Sequence, residues 1–127
     1  MALEFKSLAA GIGRLTSKSQ YQRVQSDGRS FRHSFCGIRI LRNGLDISRC
    51  GYVVSKRVGS AVVRNKVRRR VREVMRQLSI KPGWDIVFIA YPGAATAGFD
   101  ELKVALIKLL SKTKVIEEYE RHCSSIN

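Results

Sequence analysis

Apolar and polar positions alternate along this chain in two distinct periods, and the changes between them mark its elements. Over residues 61–78, Val63, Val67, Val71, Val74 and Leu78 recur three and four apart. At about 100° per residue they gather on one side of a helix. Residues 30–41 alternate by two instead. Cys36, Ile38 and Ile40 share one strand face, and Phe35, Gly37, Arg39 and Leu41 share the other. The Asn43-Gly44 pair predicts a turn, after which residues 49–55, with Val53 and Val54, return as an antiparallel partner. Residues 85–91 (DIVFIAY) form a near-continuous apolar run of strand length, the pattern of a buried strand. Residues 100–112 form a further amphipathic helix through Leu102, Leu106, Ile107, Leu109 and Leu110. A short helix over 15–25 carries Leu15, Tyr21 and Val24, with Ser17 or Ser19 as its cap; Ser60 caps the long helix.

These elements give an α+β fold in the order α-β-β-β-α-β-α, a small mixed sheet of about four strands with helices packed on one face. The chain of 127 residues reads as a single RNA-binding domain, with 1–13 a flexible arm and 113–127 a fraying tail. Three cysteines without a C-x-x-C spacing exclude a disulfide framework and a zinc ribbon; Cys36 and Cys50 read as small buried hydrophobes. Residues 1–13 lack the apolar run of a secretory signal, and no segment reaches the ~20 apolar residues of a membrane span. A cytoplasmic location is the expectation.

Charge changes the picture most. Twenty-four Lys and Arg against ten Asp and Glu leave a formal charge of +14, a field that attracts polyanions. The excess is clustered: Lys56, Arg57, Arg64, Lys66, Arg68, Arg69, Arg70, Arg72 and Arg76 face one acid, Glu73. With Arg64 at zero on the helical wheel, Arg68, Arg72 and Arg76 follow at about 40°, 80° and 120°, Asn65 at about 100° and Arg69 at about 140°; the apolar residues lie between about 260° and 340°. A solvated helix face usually pairs opposite charges at i,i+4, whereas here arginines stack on arginines. Planar guanidinium groups make paired hydrogen bonds to phosphate oxygens. Asn65 adds a donor and an acceptor for a sugar hydroxyl or a base edge. Tyr21 on the short helix can stack on a base, and Phe35, Arg39 and Leu41 share a strand face suited to the floor of a cleft.

The stretch from Ser55 to Arg76, SKRVGSAVVRNKVRRRVREVMR, resembles the signature of the protein subunit of bacterial ribonuclease P. RLT at Arg14, YQRV at Tyr21, GRS at Gly28 and DIVFIA at Asp85 extend the resemblance over most of the chain. The resemblance implies a ribosomal-protein-type domain with a left-handed β-α-β crossover. It implies an accessory subunit of an endoribonuclease that removes the 5′ leader of precursor tRNA, with catalysis by the RNA subunit. Arg57, Arg64, Asn65, Lys66, Arg68, Arg69 and Arg72 would face that RNA; Tyr21, Arg39, Arg14 and Lys56 would serve the leader. The expected partners are ribonuclease P RNA, at one copy of protein per RNA, and precursor tRNA, with no membrane partner. No cofactor is expected on the protein alone, and magnesium is implied in the RNA-containing holoenzyme. Two positions depart from the family pattern: Lys66 stands where arginine is usual, and Gln25 where a second aromatic is common.

The residues exclude an autonomous nuclease, which needs a carboxylate cluster or a histidine base. The acids are scattered, and His33 and His122 lie far apart in sequence. The alternative is a ribosomal or other structural RNA-binding protein without a processing role. A membrane-surface helix would set bulky aromatics opposite its arginines, where this one has valines. A DNA reader would show a zipper or helix-turn-helix, and neither pattern is visible.

Overall fold

The computed structural model describes residues 12–116. The predicted arm up to residue 11 and the tail beyond residue 116 lie outside the described residues. The elements are β1 (Ile12–Arg14), α1 (Lys18–Asp27), β2 (Arg29–Arg32), β3 (Cys36–Arg42), β4 (Ser48–Val54), a 3-10 turn (Lys56–Val58), α2 (Ala61–Gln77), β5 (Trp84–Ala90), a second 3-10 turn (Pro92–Ala95) and α3 (Phe99–Ser111). The Ser17 hydroxyl caps α1 in a reciprocal box with Gln20, and Ser60 caps α2.

The five strands lie in the order β1-β4-β5-β3-β2. The α+β class holds, and four expectations about its details do not. First, β4 does not pair with β3. β5 inserts between them, antiparallel to β3 and parallel to β4, so Ile86 sits between Ile40 and Cys50. β4, α2 and β5 thus form a parallel β-α-β crossover.

Second, the helices cover both faces of the sheet. Ile86, Phe88 and Ala90 of β5 join Cys36, Ile38, Ile40, Cys50 and Val54 in the main core, with residues of α2 and α3. Val87, one residue out of phase, packs with Leu15 and with Val24 of α1 on the opposite face. A strand apolar on both sides needs cover on both sides, and α1 supplies the second layer.

Third, Ile12 and Gly13 do not belong to a loose arm. They begin β1, which pairs with residues 48–50 of β4 and brings the strand count to five. Fourth, the chain does not fray at residue 113. Thr113, Val115 and Ile116 are buried, Lys81 N–H donates to the Val115 carbonyl at 2.7 Å, and Ile116 bridges Ile80. The two apolar residues after Lys114 find a seat beside the chain leaving α2.

One polar cluster ties the strands at the end of the sheet. Asp85, 1% exposed, accepts from Arg49 Nε and Nη2 at 2.8 Å each and from Asn43 Nδ2 at 2.9 Å. Ser48 Oγ accepts from Trp84 N–H at 3.0 Å and donates to the Lys81 carbonyl. Burial alone would raise the Asp85 carboxyl; the Arg49 and Asn43 hydrogen bonds outweigh it and hold the group below the ordinary carboxylate value. A carboxyl lowered in the folded state stabilises the fold above about pH 4, and that contribution fades as pH falls through the folded-state value.

Removing one partner of a buried pair strands the other. Arg49→Ala is expected to cost about 3 kcal/mol at pH 7 in urea unfolding. The deficit of Asp85→Asn relative to the parent should shrink below about pH 4. A deficit unchanged from pH 7 to pH 3 would contradict the role given to this ion pair.

Candidate nucleic-acid interface

α2 is held by its apolar stripe. Val67, Val71, Val74 and Met75 are between 0% and 3% exposed, and Leu78 caps the stripe just past the helix end. Met75 widens the stripe beyond the valines. With that side fixed on the sheet, Asn65, Lys66, Arg69, Arg72 and Arg76 are exposed, and Arg64 and Arg68 flank them half-buried.

Several of these groups are already oriented. Arg64 Nε donates to the Gly59 carbonyl at 3.1 Å, at the start of α2. Arg68 Nη1 donates to Asn65 Oδ1 at 2.9 Å, which leaves the Asn65 amide N–H groups available to a ligand. Arg70, a quarter-turn away, points elsewhere: its Nη1 donates to the Ala97 carbonyl at 2.7 Å and anchors the loop before α3. The 3-10 turn buries Val58 and leaves Lys56 and Arg57 exposed beside the N-terminus of α2. Gly59 at φ 154° makes the corner between turn and helix, where a Cβ would meet Val63 at 3.0 Å. Lys56, Arg57 and the stripe therefore form one continuous basic surface, strengthened by the free N–H groups of a helix start.

The residues expected to serve the leader divide between the two faces. Tyr21 lies half-buried on the α1 face, over Gly51 of β4. A Cβ at Gly51 would fall 2.5 Å from the phenol ring, so the glycine is what lets the ring lie on the sheet. Arg39 shares this face, in the cross-strand row of Val87 and Gly51. Its Nη1 donates to the Gln25 carbonyl at 3.0 Å and so ties β3 to the end of α1. Phe35 does not join this floor. It precedes β3, outside the reach of the strand alternation, and packs with the main core and edge-on to His33 at 5.0 Å. Arg14 emerges on the α2 face with Tyr52 and Arg72.

Tyr52 is the residue that the sequence reading missed. It sits half-buried on β4 with the Arg72 guanidinium 5.8 Å from its ring. Burial holds its phenol above the ordinary tyrosine value, against the opposing charges of Arg72 and Arg14, and Tyr21 lies near enough to act on it as well. Tyr52 thus stands beside Arg14 and Arg72 on the α2 face, next to the arginine helix. Its alternation with Cys50 and Val54 signals a core residue, and nothing local in the sequence brings Arg14 to it.

The family model "Ribonuclease P" matches residues 12–114, nearly the whole described chain. The chain belongs to the ribonuclease P protein family. The ribonuclease P protein component of Roseiflexus castenholzii is 46% identical over 107 residues, covering 82% of this chain and 88% of that one. That of Caldanaerobacter subterraneus subsp. tengcongensis is 40% identical, covering 87% and 97%. The solved RNase P protein of Staphylococcus aureus superposes with a TM-score of 0.74 at 29% identity, over 82% of this chain and 97% of that one. The RNase P protein of Thermotoga maritima gives 0.73 at 30%, over 80% and 97%. The chain is thus a protein component of a ribonuclease, with the mixed five-stranded sheet of its family.

The seat of Tyr21 can be tested directly. Gly51→Ala should displace the ring and cost about 1–3 kcal/mol by overpacking. Adding Tyr21→Ala should recover much of that loss, as a double-mutant cycle in urea would show. Additive losses would mean that the ring does not rest on Gly51.

Proposed function

We infer that this chain is the RNA-docking subunit of a ribonuclease P whose catalyst is RNA, and that it binds both the catalytic RNA and the 5′ leader of precursor tRNA. The observation that carries the reading is the arginine face of α2: like charges stacked at i,i+4 on a helix whose opposite side is fixed in the core. Arg57, Arg64, Asn65, Lys66, Arg68, Arg69 and Arg72 dock the RNA subunit through phosphate contacts, with Lys66 contributing a point charge where a guanidinium would make two bonds. The leader runs past Tyr21 on the α1 face, and Lys56 and Arg14, which lie on the α2 side, meet it where it crosses the edge of the sheet. Arg39 holds α1 in place and adds positive charge along that path.

Among the described residues, no group of three or more His, Cys, Asp or Glu side chains could hold a metal ion. No step of the cleavage is assigned to a metal held by this chain. Magnesium in the holoenzyme belongs to the RNA in this reading. The protein's contribution is to neutralise phosphate repulsion, which lowers the magnesium needed for docking substrate. No helix among the described residues is long and apolar enough to cross a membrane, and a cytoplasmic ribonucleoprotein with one protein per RNA accords with the charge.

Reconstitution tests the reading. Adding the chain to its cognate RNA at low magnesium should restore leader cleavage; no gain in rate or substrate affinity would sink it. Co-purification in stoichiometric amounts with ribosomal subunits would favour the structural alternative. If the stripe neutralises about five phosphates, log affinity for the RNA should fall with log salt at a slope of roughly −4. Arg68→Ala should reduce that slope by about one, and an unchanged slope would remove Arg68 from the contact set.

A further inference from the structure

β1 pairs with β4 as far as Arg14 opposite Cys50, so among the described residues no strand pairs with β4 on that side from Gly51 onward. A cup of about 430 Å³ opens there, between the edge and α2. That volume falls within the ~300–1,000 Å³ of ordinary small-molecule sites. Its floor is apolar, formed by Ile12, Tyr52 and Met75; its rim carries Arg14, Arg72 and Arg76. Arg70 and Arg39, by contrast, spend donors on backbone carbonyls. Arg76 pairs with Glu73 at 3.4 Å, and both side chains are well exposed, which makes their pairing weak in water.

An apolar floor containing an aromatic, ringed by guanidinium groups, suits a ligand with one flat face and one phosphate. A phosphodiester backbone alone would not use the floor, and a purely apolar ligand would leave three cations facing one another. Arg72 stands over the Tyr52 ring at a distance loose for stacking. A base could take its place against the ring while the guanidinium turns to the phosphate.

We propose that the cup of Arg14, Tyr52, Met75, Arg72 and Arg76 is a binding site for one unstacked nucleotide of an RNA partner, its base on Tyr52 and its 5′ phosphate among the three arginines. The proposal rests on the reading of α2 as an RNA-docking helix and adds a base-contacting site to its phosphate contacts. RNA single strands and bulges present such splayed-out bases.

The test uses the full chain and the mononucleotide UMP, with uridine and inorganic phosphate as comparisons. Spectra of the Met75 methyl group and the Tyr52 ring should shift saturably with UMP, and uridine and inorganic phosphate should each bind at least about tenfold more weakly. Tyr52→Leu keeps the floor apolar and should abolish the preference for UMP over phosphate; Tyr52→Phe, which keeps the ring, should retain it. Arg76→Ala should weaken UMP binding, and Lys108→Ala on α3 should leave it unchanged. Phosphate binding as tightly as UMP, shifts at Tyr21 without shifts at Met75, or equal effects of the Leu and Phe variants would each overturn the proposal. Any of these results with RNA affinity and its salt slope intact would remove the cup alone; loss of RNA binding by the parent chain would instead remove the docking role of α2.

Discussion

The docking of the α2 apolar stripe on the sheet is the interaction on which the rest of this molecule depends. Val67, Val71, Val74 and Met75 are removed from water, at about 1.5–3 kcal/mol each by transfer. Against this stand three like-charge pairs along Arg64, Arg68, Arg72 and Arg76, each costing about 0.2–0.5 kcal/mol. Even after the transfer figure is discounted for a compact unfolded chain, burial exceeds the repulsion several-fold. The packing therefore sets which way the helix faces, and the arginines accept the direction it leaves them. An arriving polyanion meets a surface already formed, with the residual repulsion among the guanidinium groups relieved on contact.

The same docking links the two faces of the sheet. β5 is apolar on both sides, so α2 and α3 on one face require α1 on the other. α1 is then placed by two contacts of different kinds. The Tyr21 ring lies on the bare backbone of Gly51, and Arg39 holds the Gln25 carbonyl one turn further along. Because β1 is short, among the described residues β4 continues beyond its last pairing with β1, and Tyr52 lies there beside Arg14 and Arg72. The α1 face with Tyr21 and the arginine face of α2 are thus separate surfaces on the two sides of one sheet.

Local pattern made much of this legible. The valine period, the Ser17 and Ser60 caps, the apolar run of β5 and the burial of Cys36 and Cys50 all follow from short-range rules. Burial pushes both thiols up to about 12, as expected of inert packing residues. What local pattern does not carry is long-range pairing. Nothing near Asn43 announces that the partner of β3 is β5, some forty residues on, rather than β4. β1 has three residues, too few to show a period. Phe35 obeys the alternation of β3 on paper but lies before the strand begins. The cluster of Arg49, Asp85 and Asn43, and the meeting of Arg14 with Tyr52, join residues more than thirty-five positions apart. The stripe was legible because its residues are neighbours on one helix; the cup beside it was not, because three separate elements build it.

Site-directed cross-linking tests the central claim most directly. Cys36 and Cys50 are buried, so in a Cys123→Ser background a cysteine introduced at position 65 on α2, or at exposed position 108 on α3, can carry a photo-reactive group alone. With the cognate RNA, the probe at position 65 should cross-link strongly and the probe at position 108 should not. Equal cross-linking from both positions, or a stronger signal from α3, would contradict the assignment of α2 as the RNA-docking face.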